Sequence, residues 1–294
     1  ESFVDVSKTS FKGALSVSDP NYKNTGNALS YNITNTKNDK PDSGFENSII
    51  GAGVGTRFEQ YKNVYFSPNI NLTYDDLTVL SKASSALKKQ AGSYTDLSFG
   101  YRVQLDQRDR SFMPTDGFIT SFNQSIPIYA DTPYLLNSLS YAKYNAFSPD
   151  VIGVAKIFGA AINGVGDDDV RISKRLNLNQ NKLRGFEKGK IGPKDGEDYV
   201  GGNFASALNL EANLPNLLPE STKTEVGLFL DFANLWGVDY DDTMNESNKV
   251  RSSTGVITSW LSPLGPMSVI LSQNISKAST DVTESFNFRL GTTF

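Results

Sequence analysis

Residues 94–106 alternate along their whole length. Thr95, Leu97, Phe99, Tyr101, Val103 and Leu105 fall on one side, and Tyr94, Asp96, Ser98, Gly100, Arg102, Gln104 and Asp106 on the other. Successive side chains of a strand point to opposite faces, so the stretch predicts a strand with one apolar and one wet surface. Strands of globular proteins average about five or six residues. A strand tilted across a bilayer needs roughly 9–11, and this one is long enough. The pattern is weak at 11–18 and 26–36, then stronger at 46–58, 63–75, 117–128, 135–147 and 151–163. It returns at 204–214, 224–235, 251–261, 267–275 and 284–294, and residues 2–7 read as the tail of another strand.

The connections are of two kinds. Asp19-Pro20-Asn21, Glu59-Gln60-Tyr61-Lys62, Ser148-Pro149-Asp150 and Ser262-Pro263-Leu264-Gly265-Pro266 are short and turn-rich. The others, near 37–44, 76–93, 164–203, 237–250 and 277–283, are longer. Short turns on one side and long loops on the other are the organisation of an outer-membrane barrel. The expected fold is therefore all-β: residues 1–294 form one transmembrane antiparallel β-barrel domain, with a long extracellular loop at about 164–203 folded into the lumen. A soluble β-sandwich or propeller is the alternative, and strands this long and one-faced weigh against it. Within 76–93, Val79–Lys89 is expected to form a short surface helix.

Composition narrows the chemistry. The chain has no cysteine and no histidine, which removes disulfides, thiol nucleophiles, Ser–His and Cys–His hydrolase machinery and imidazole metal sites. Basic and acidic residues are interspersed, with net charge −4, so no basic stripe is present to neutralise nucleic-acid phosphates. No run of about 18 apolar residues occurs, so no transmembrane helix is expected. Only 38 % of residues are hydrophobic, yet Tyr (13) and Phe (18) are plentiful. That balance suits a wall with alternate residues in lipid and aromatics at the interfaces.

The interval 164–203 is too long for an ordinary connection. It carries Leu183-Arg184-Gly185-Phe186, Ile191-Gly192-Pro193-Lys194 and Val200-Gly201-Gly202-Asn203, glycine clusters that need specific backbone geometry. On 204–214 the outward set Phe204, Leu208, Leu210 and Leu214 leaves Asn209 and Glu211 facing inward. On 224–235 the outward set Val226, Leu228, Leu230 and Phe232 leaves Glu225, Asp231 and Ala233 inward. Arg184 folded inside could bridge Glu211 and Asp231 with charge-assisted bonds; the plainer reading is three solvated charges. Other patterns carry less. Gly51-Ala52-Gly53-Val54-Gly55 lacks the Lys-Ser/Thr of a phosphate loop. Ser85-Ala86-Leu87-Lys88 lacks the companions of an acylation motif. Asp167-Asp168-Asp169 and Asp239-Tyr240-Asp241-Asp242 do not have calcium-loop spacing.

Together, the turn from Asp109 through Pro114-Thr115-Asp116-Gly117, the three loop motifs, Asp231-Phe232-Ala233-Asn234-Leu235-Trp236, Ser262–Pro266 and the ending Phe286–Phe294 resemble the barrel of BamA-type outer-membrane protein assembly factors. The superfamily around them also holds two-partner secretion transporters and organellar import barrels. The resemblance implies a protein of the bacterial outer membrane that inserts and folds nascent β-barrels through a lateral gate between its first and last strands. A secretion transporter passing one unfolded exoprotein is the alternative. It implies a loop arginine at Arg184, with Leu183, Gly185 and Phe186 beside it and lumen acids at Glu211 and Asp231. It also implies a gate strand carrying Phe286, Phe288, Arg289, Gly291 and Phe294, with Gly291 loosening the packing near its end. The implied partners are unfolded outer-membrane clients, the bilayer with its lipopolysaccharide, and accessory lipoproteins reached through an N-terminal region. No enzyme activity, catalytic residue, cofactor or metal is implied. The family barrel has sixteen strands where about 13–14 are read here, so an N-terminal truncation is expected, with the first strands and the POTRA repeats lying outside this sequence.

Overall fold

The computed structural model describes residues 2–7, 10–111, 113–219, 224–240, 248–262 and 265–290. Among these residues fourteen antiparallel strands form one sheet in chain order. The first nine are β1 (Ser2–Ser7), β2 (Ser10–Asp19), β3 (Ala28–Lys40), β4 (Phe45–Tyr61), β5 (Val64–Val79), β6 (Gly92–Asp106), β7 (Gly117–Ala130), β8 (Tyr134–Ser148) and β9 (Val151–Gly164). A long loop, 165–203, carries a two-strand ribbon of β10 (Lys194–Asp195) and β11 (Asp198–Tyr199). The wall resumes with β12 (Phe204–Leu214), β13 (Thr224–Trp236), β14 (Arg251–Ser262), β15 (Gly265–Ser276) and β16 (Phe286–Leu290). Among the described residues β1 and β16 are not paired with each other.

The register lines up what the alternation separates. Tyr31 pairs with Val54, Val54 with Ile70, Ile70 with Phe99 and Phe99 with Ile126, which makes one apolar row across five strands. A slip of one residue would turn such a row inward. Tyr31, Ile33, Ile70, Leu72, Leu139, Ile157, Leu210 and Leu228 are all exposed, the placement that suits a wall surrounded by hydrocarbon. The opposite face carries polar ladders. The Ser10 hydroxyl donates to Asn38 (3.1 Å), Asn38 to Asn47 (2.9 Å) and Asn47 to the Asp75 carboxylate (2.8 Å), crossing β2 to β5 at one level. Gly51, Gly53 and Gly55 sit on this inner face of β4, where a Cβ on Gly53 would come within 2.4 Å of the Asn71 side chain. At Gly51 a Cβ would come within 2.7 Å of the Thr34 hydroxyl, so inner-wall side chains already fill the space a larger residue would need. No helix among the described residues is long and apolar enough to cross a membrane.

One loop reaches distant strands, so the wall must curve round it. Residues of 165–203 bond to Asp75 on β5, Asp96 on β6, Asp231 on β13 and Asn274 on β15. Its apolar residues form cores against the inner wall. Leu178, Leu183, Phe186 and Ile191 pack on Ala205, Ala207, Ala233 and Leu235, the alanines making a shallow dry seat on an otherwise polar face. Ile172 and Val200 pack with Phe45, Leu77, Leu87 and Val238. Burying each large side chain stabilises by about 1.5–3 kcal/mol, so the loop is held as a core element.

Two expectations are corrected, and part of a third falls on residues that are not described. The connection expected at 37–44 is only the turn Pro41–Gly44, because β3 runs to Lys40 and Lys40 pairs with Phe45. Its polar residues extend the strand beyond the apolar band, where alternation gives no signal. The expected surface helix is one turn, α1 (Ser85–Lys88), capped by the Ser84 hydroxyl, with Leu87 fully buried beneath the long loop. The last strand, expected over 284–294, is described only as Phe286–Leu290, and Gly291 and Phe294 lie outside the described residues.

Candidate functional site

Asn209 and Asp231 stand directly opposite each other on β12 and β13, and both are buried. The Asn209 amide donates to the Asp231 carboxylate (2.8 Å) and to the Lys182 carbonyl (3.0 Å), fixing acid and loop in one contact. Arg184 then closes on Asp231 with two parallel bonds, Nε to Oδ2 at 2.7 Å and Nη2 to Oδ1 at 2.6 Å. Its backbone N–H adds a third at 3.0 Å. The same Nη2 lies 2.9 Å from Glu211, whose other oxygen meets Lys156 Nζ at 2.8 Å. The guanidinium carbon is 3.9 Å from the centre of the Phe229 ring, close enough for a cation–π contact. Two cations thus face two anions. Buried charges of this kind persist only when paired and hydrogen-bonded.

The backbone beside Arg184 is fixed as firmly. Gly185 has φ +83°, a conformation that costs little only for glycine. The Ser253 hydroxyl donates to the Arg184 carbonyl (2.5 Å), and Asn274 to the Gly185 carbonyl (2.9 Å). Phe186 bridges Thr283 just ahead of the last strand. On β16, Phe286, Phe288 and Leu290 are exposed on one face. Arg289, on the other, reaches inward to the Gln180 carbonyl (3.2 Å) and the Asn181 side chain. The structure therefore brings Leu183, Arg184, Gly185 and Phe186 together with Glu211 and Asp231, and ties Arg289 to the same loop. Glu225 lies further along β13 and makes no contact with Arg184.

A second charged cluster, near the start of the loop, was missed by sequence reasoning. Asp96 on β6 receives Arg171 at 2.7 Å and Lys174 at 3.0 Å, and Asp75 receives the Ser173 hydroxyl at 2.7 Å. Arg171 also lies over Tyr94, 4.1 Å from its ring centre. The inward position of Asp96 is legible in the alternation of 94–106; its basic partners in the aperiodic loop are not. Arg175 is bonded to Asp239 and Asn203. Burial alone would raise the Asp239 pKa, but Arg175, the Val170 N–H and the Asn203 amide outweigh it and hold the carboxyl below its ordinary value of 3.8. A depressed folded pKa contributes stability that is present above the unfolded value and lost as pH falls through the folded one. The Val170 amide, which donates to Asp239 at 3.0 Å, is therefore expected to keep its exchange protection from neutral pH down to about 4, then lose it on further acidification. Pressure-free hydrogen exchange followed across that range checks it.

Asp167, Asp168 and Asp169 line an open cavity with Asn163, Asn203, Phe204 and Trp236. Among the described residues no group of three or more acidic side chains is placed to hold a metal ion, and Asp241 and Asp242 lie outside the described residues. What the interior geometry does chemically is pair fixed charges and hold a loop.

The family described as the Omp85 superfamily domain matches residues 4–294. The chain is 24 % identical to the outer membrane protein assembly factor BamA of Neorickettsia risticii over 88 % of its own length. It is 26 % identical to BamA of Neisseria meningitidis over 98 % of its length. The chain spans only 36 % and 42 % of those relatives. The crystal structure of Haemophilus ducreyi BamA lacking POTRA domains 1–3 superposes with a TM-score of 0.83 at 20 % identity, covering 95 % of this chain and 61 % of that one. CdiB from Acinetobacter baumannii superposes less closely, with a TM-score of 0.57 at 12 % identity, covering 96 % of this chain and 50 % of that one.

Proposed function

The chain belongs to the Omp85 superfamily of outer-membrane β-barrel proteins, and from that premise we propose that it inserts and folds nascent β-barrel proteins into the bacterial outer membrane. The observation that carries the reading is the likeness to two assembly factors along nearly the whole chain. The seated loop supports it: inner-wall acids on four strands are engaged by loop residues instead of lining an open pore.

The mechanism follows from strand chemistry. An unpaired strand edge in hydrocarbon leaves backbone donors and acceptors unsatisfied, at several kcal/mol per group. A seam between the first and last strands that opens would present such an edge, and a client strand would satisfy it by β-augmentation. The outward residues Phe286, Phe288 and Leu290 keep the last strand in lipid, while Arg289 tethers its inner face to the loop. Arg184, held by Asp231 and Glu211, braces the wall beside that seam. No covalent bond is made or broken, so the protein is not an enzyme. Its partners are unfolded outer-membrane clients, a bilayer containing lipopolysaccharide, and accessory lipoproteins.

The test is reconstitution. The full-length protein in liposomes is expected to speed the folding of a urea-unfolded β-barrel client over empty liposomes, read by heat-modifiable electrophoretic mobility and protease protection. No acceleration across several clients would overturn the reading. Movement of an unfolded exoprotein across the bilayer, without client folding, would move it to a two-partner secretion transporter.

A further inference from the structure

Arg251 opens β14 and is fully buried. Its register partner on β13 is Ala233. The pairing of β14 with β15 shifts between Ser252 and Ser253, and Arg251, Ser252 and Ser253 are all buried in succession. Alternation places Arg251 on the inner face with Ser253, opposite Ala233 as Ser253 is opposite Asp231. Here Arg251 reaches the segment between β15 and β16, where Nε and Nη2 meet the two oxygens of Asp281, each at 2.9 Å. Both side chains are completely shielded. Nη1 donates to Asn234 (3.1 Å) and to the Lys249 carbonyl (2.9 Å), and Asp281 accepts the Ala278 N–H at 2.6 Å.

Such a pair gains little net stability over apolar packing, and its best-attested use is to specify one arrangement. What it specifies here is the approach to the last strand. Residues 280–284 leave β15 and bond to the long loop: Tyr199 donates to the Thr280 carbonyl (2.5 Å) and Glu187 N–H to the Val282 carbonyl (3.0 Å). Val282 N–H donates to the Lys190 carbonyl (3.1 Å), and Glu284 N–H to the Gly185 carbonyl (3.0 Å). Among the described residues, pairing of β16 with β15 then runs over Phe286–Leu290. Two residues beyond Arg251, Ser253 holds the Arg184 carbonyl, so one short stretch of β14 grips both the loop and the last strand's leader.

We infer that Arg251 and Asp281 form a second interior lock, separate from the Arg184 cluster, that positions the last strand by pinning its leader to β14. Its part in client assembly rests on the function proposed above; the lock itself does not. Asp281→Asn and Arg251→Gln in the full-length protein in lipid nanodiscs are the test. The amides of Val282 and Glu284 are expected to exchange about a hundredfold faster, because removing one partner exposes an uncompensated buried charge. The Arg184 amide is expected to keep its wild-type protection. Arg251→Lys, which keeps the charge and loses the planar fork, is expected to fall between. Client folding by the same variants is expected to slow.

Unchanged exchange at Val282 and Glu284 overturns the lock whatever the activity does. Loss of protection at Arg184 as well marks a general structural residue and also overturns it. Fast exchange with wild-type client folding overturns its part in assembly. Fast, local exchange in a protein whose wild-type form folds no client supports the lock and removes only the functional reading.

Discussion

Arg184→Glu is expected to unseat the long loop and reduce client assembly to the level of empty membranes. Arg184 and Asp231 are 5 % and 0 % exposed, and removing one partner of such a pair costs about 3–5 kcal/mol. Reversal costs more, since a third carboxylate then faces Asp231 and Glu211, which Lys156 at Glu211 offsets only in part. The outer wall is untouched, because its rows depend on strand register. The variant is therefore expected to reach the membrane as a folded barrel by heat-modifiable mobility, while amides of residues 178–191 lose exchange protection. Arg184→Lys, which keeps charge but not the paired bonds to Asp231, is expected to retain intermediate activity. Wild-type client folding by Arg184→Glu would remove the bracing role.

Gly185→Val is expected to have a comparable effect without changing any charge. At φ +83° a β-branched residue is strained. Its Cβ would also lie 3.1 Å from Ser272 Oγ and 3.3 Å from Ser253 Cβ. Strain and crowding together cost about 2–4 kcal/mol. The carbonyls of Arg184 and Gly185, which receive Ser253, Asn274 and Glu284, would be displaced. Exchange should rise at Glu284 and client folding should fall, with Gly185→Ala showing the same changes at smaller size. A Gly185→Val protein with native protection at Glu284 would show that the carbonyls are not what holds the leader of the last strand.

Most of the wall is legible in the sequence, since one-faced strands announce themselves by alternation. Leu228, exposed, and Asp231, buried, fall on the faces that the period of two assigns. The same reasoning puts Asn209 and Glu211 inside. It fails where the period breaks or never existed. Arg251 falls on the inward face that alternation assigns, opposite Ala233, but its partner Asp281 lies between strands, where no period says what it will meet. Arg171 and Lys174 belong to a loop whose course is set by what it packs against. Leu87 reads as part of a surface helix because nothing local reveals that Ile172 and Val200 will cover it. Lys37 to Lys40 read as loop because strand extension beyond the apolar band has no hydrophobic signature.

The placement of the loop also sets an order of events. Among the described residues the wall strands pair in chain order, so the sheet can zip hairpin by hairpin at small loop-closure cost except where β9 meets β12 across the long loop. The loop's bonds span far more chain: 98 residues from Ser173 to Asp75, 104 from Gln180 to Glu284 and 109 from Arg289 to Gln180. The loop cannot dock in full until β5, β13 and the last strand are all in place. Docking is therefore the closing step of the molecule's own folding and its reversal the first step of unfolding, so weakening the loop should quicken unfolding far more than it slows folding.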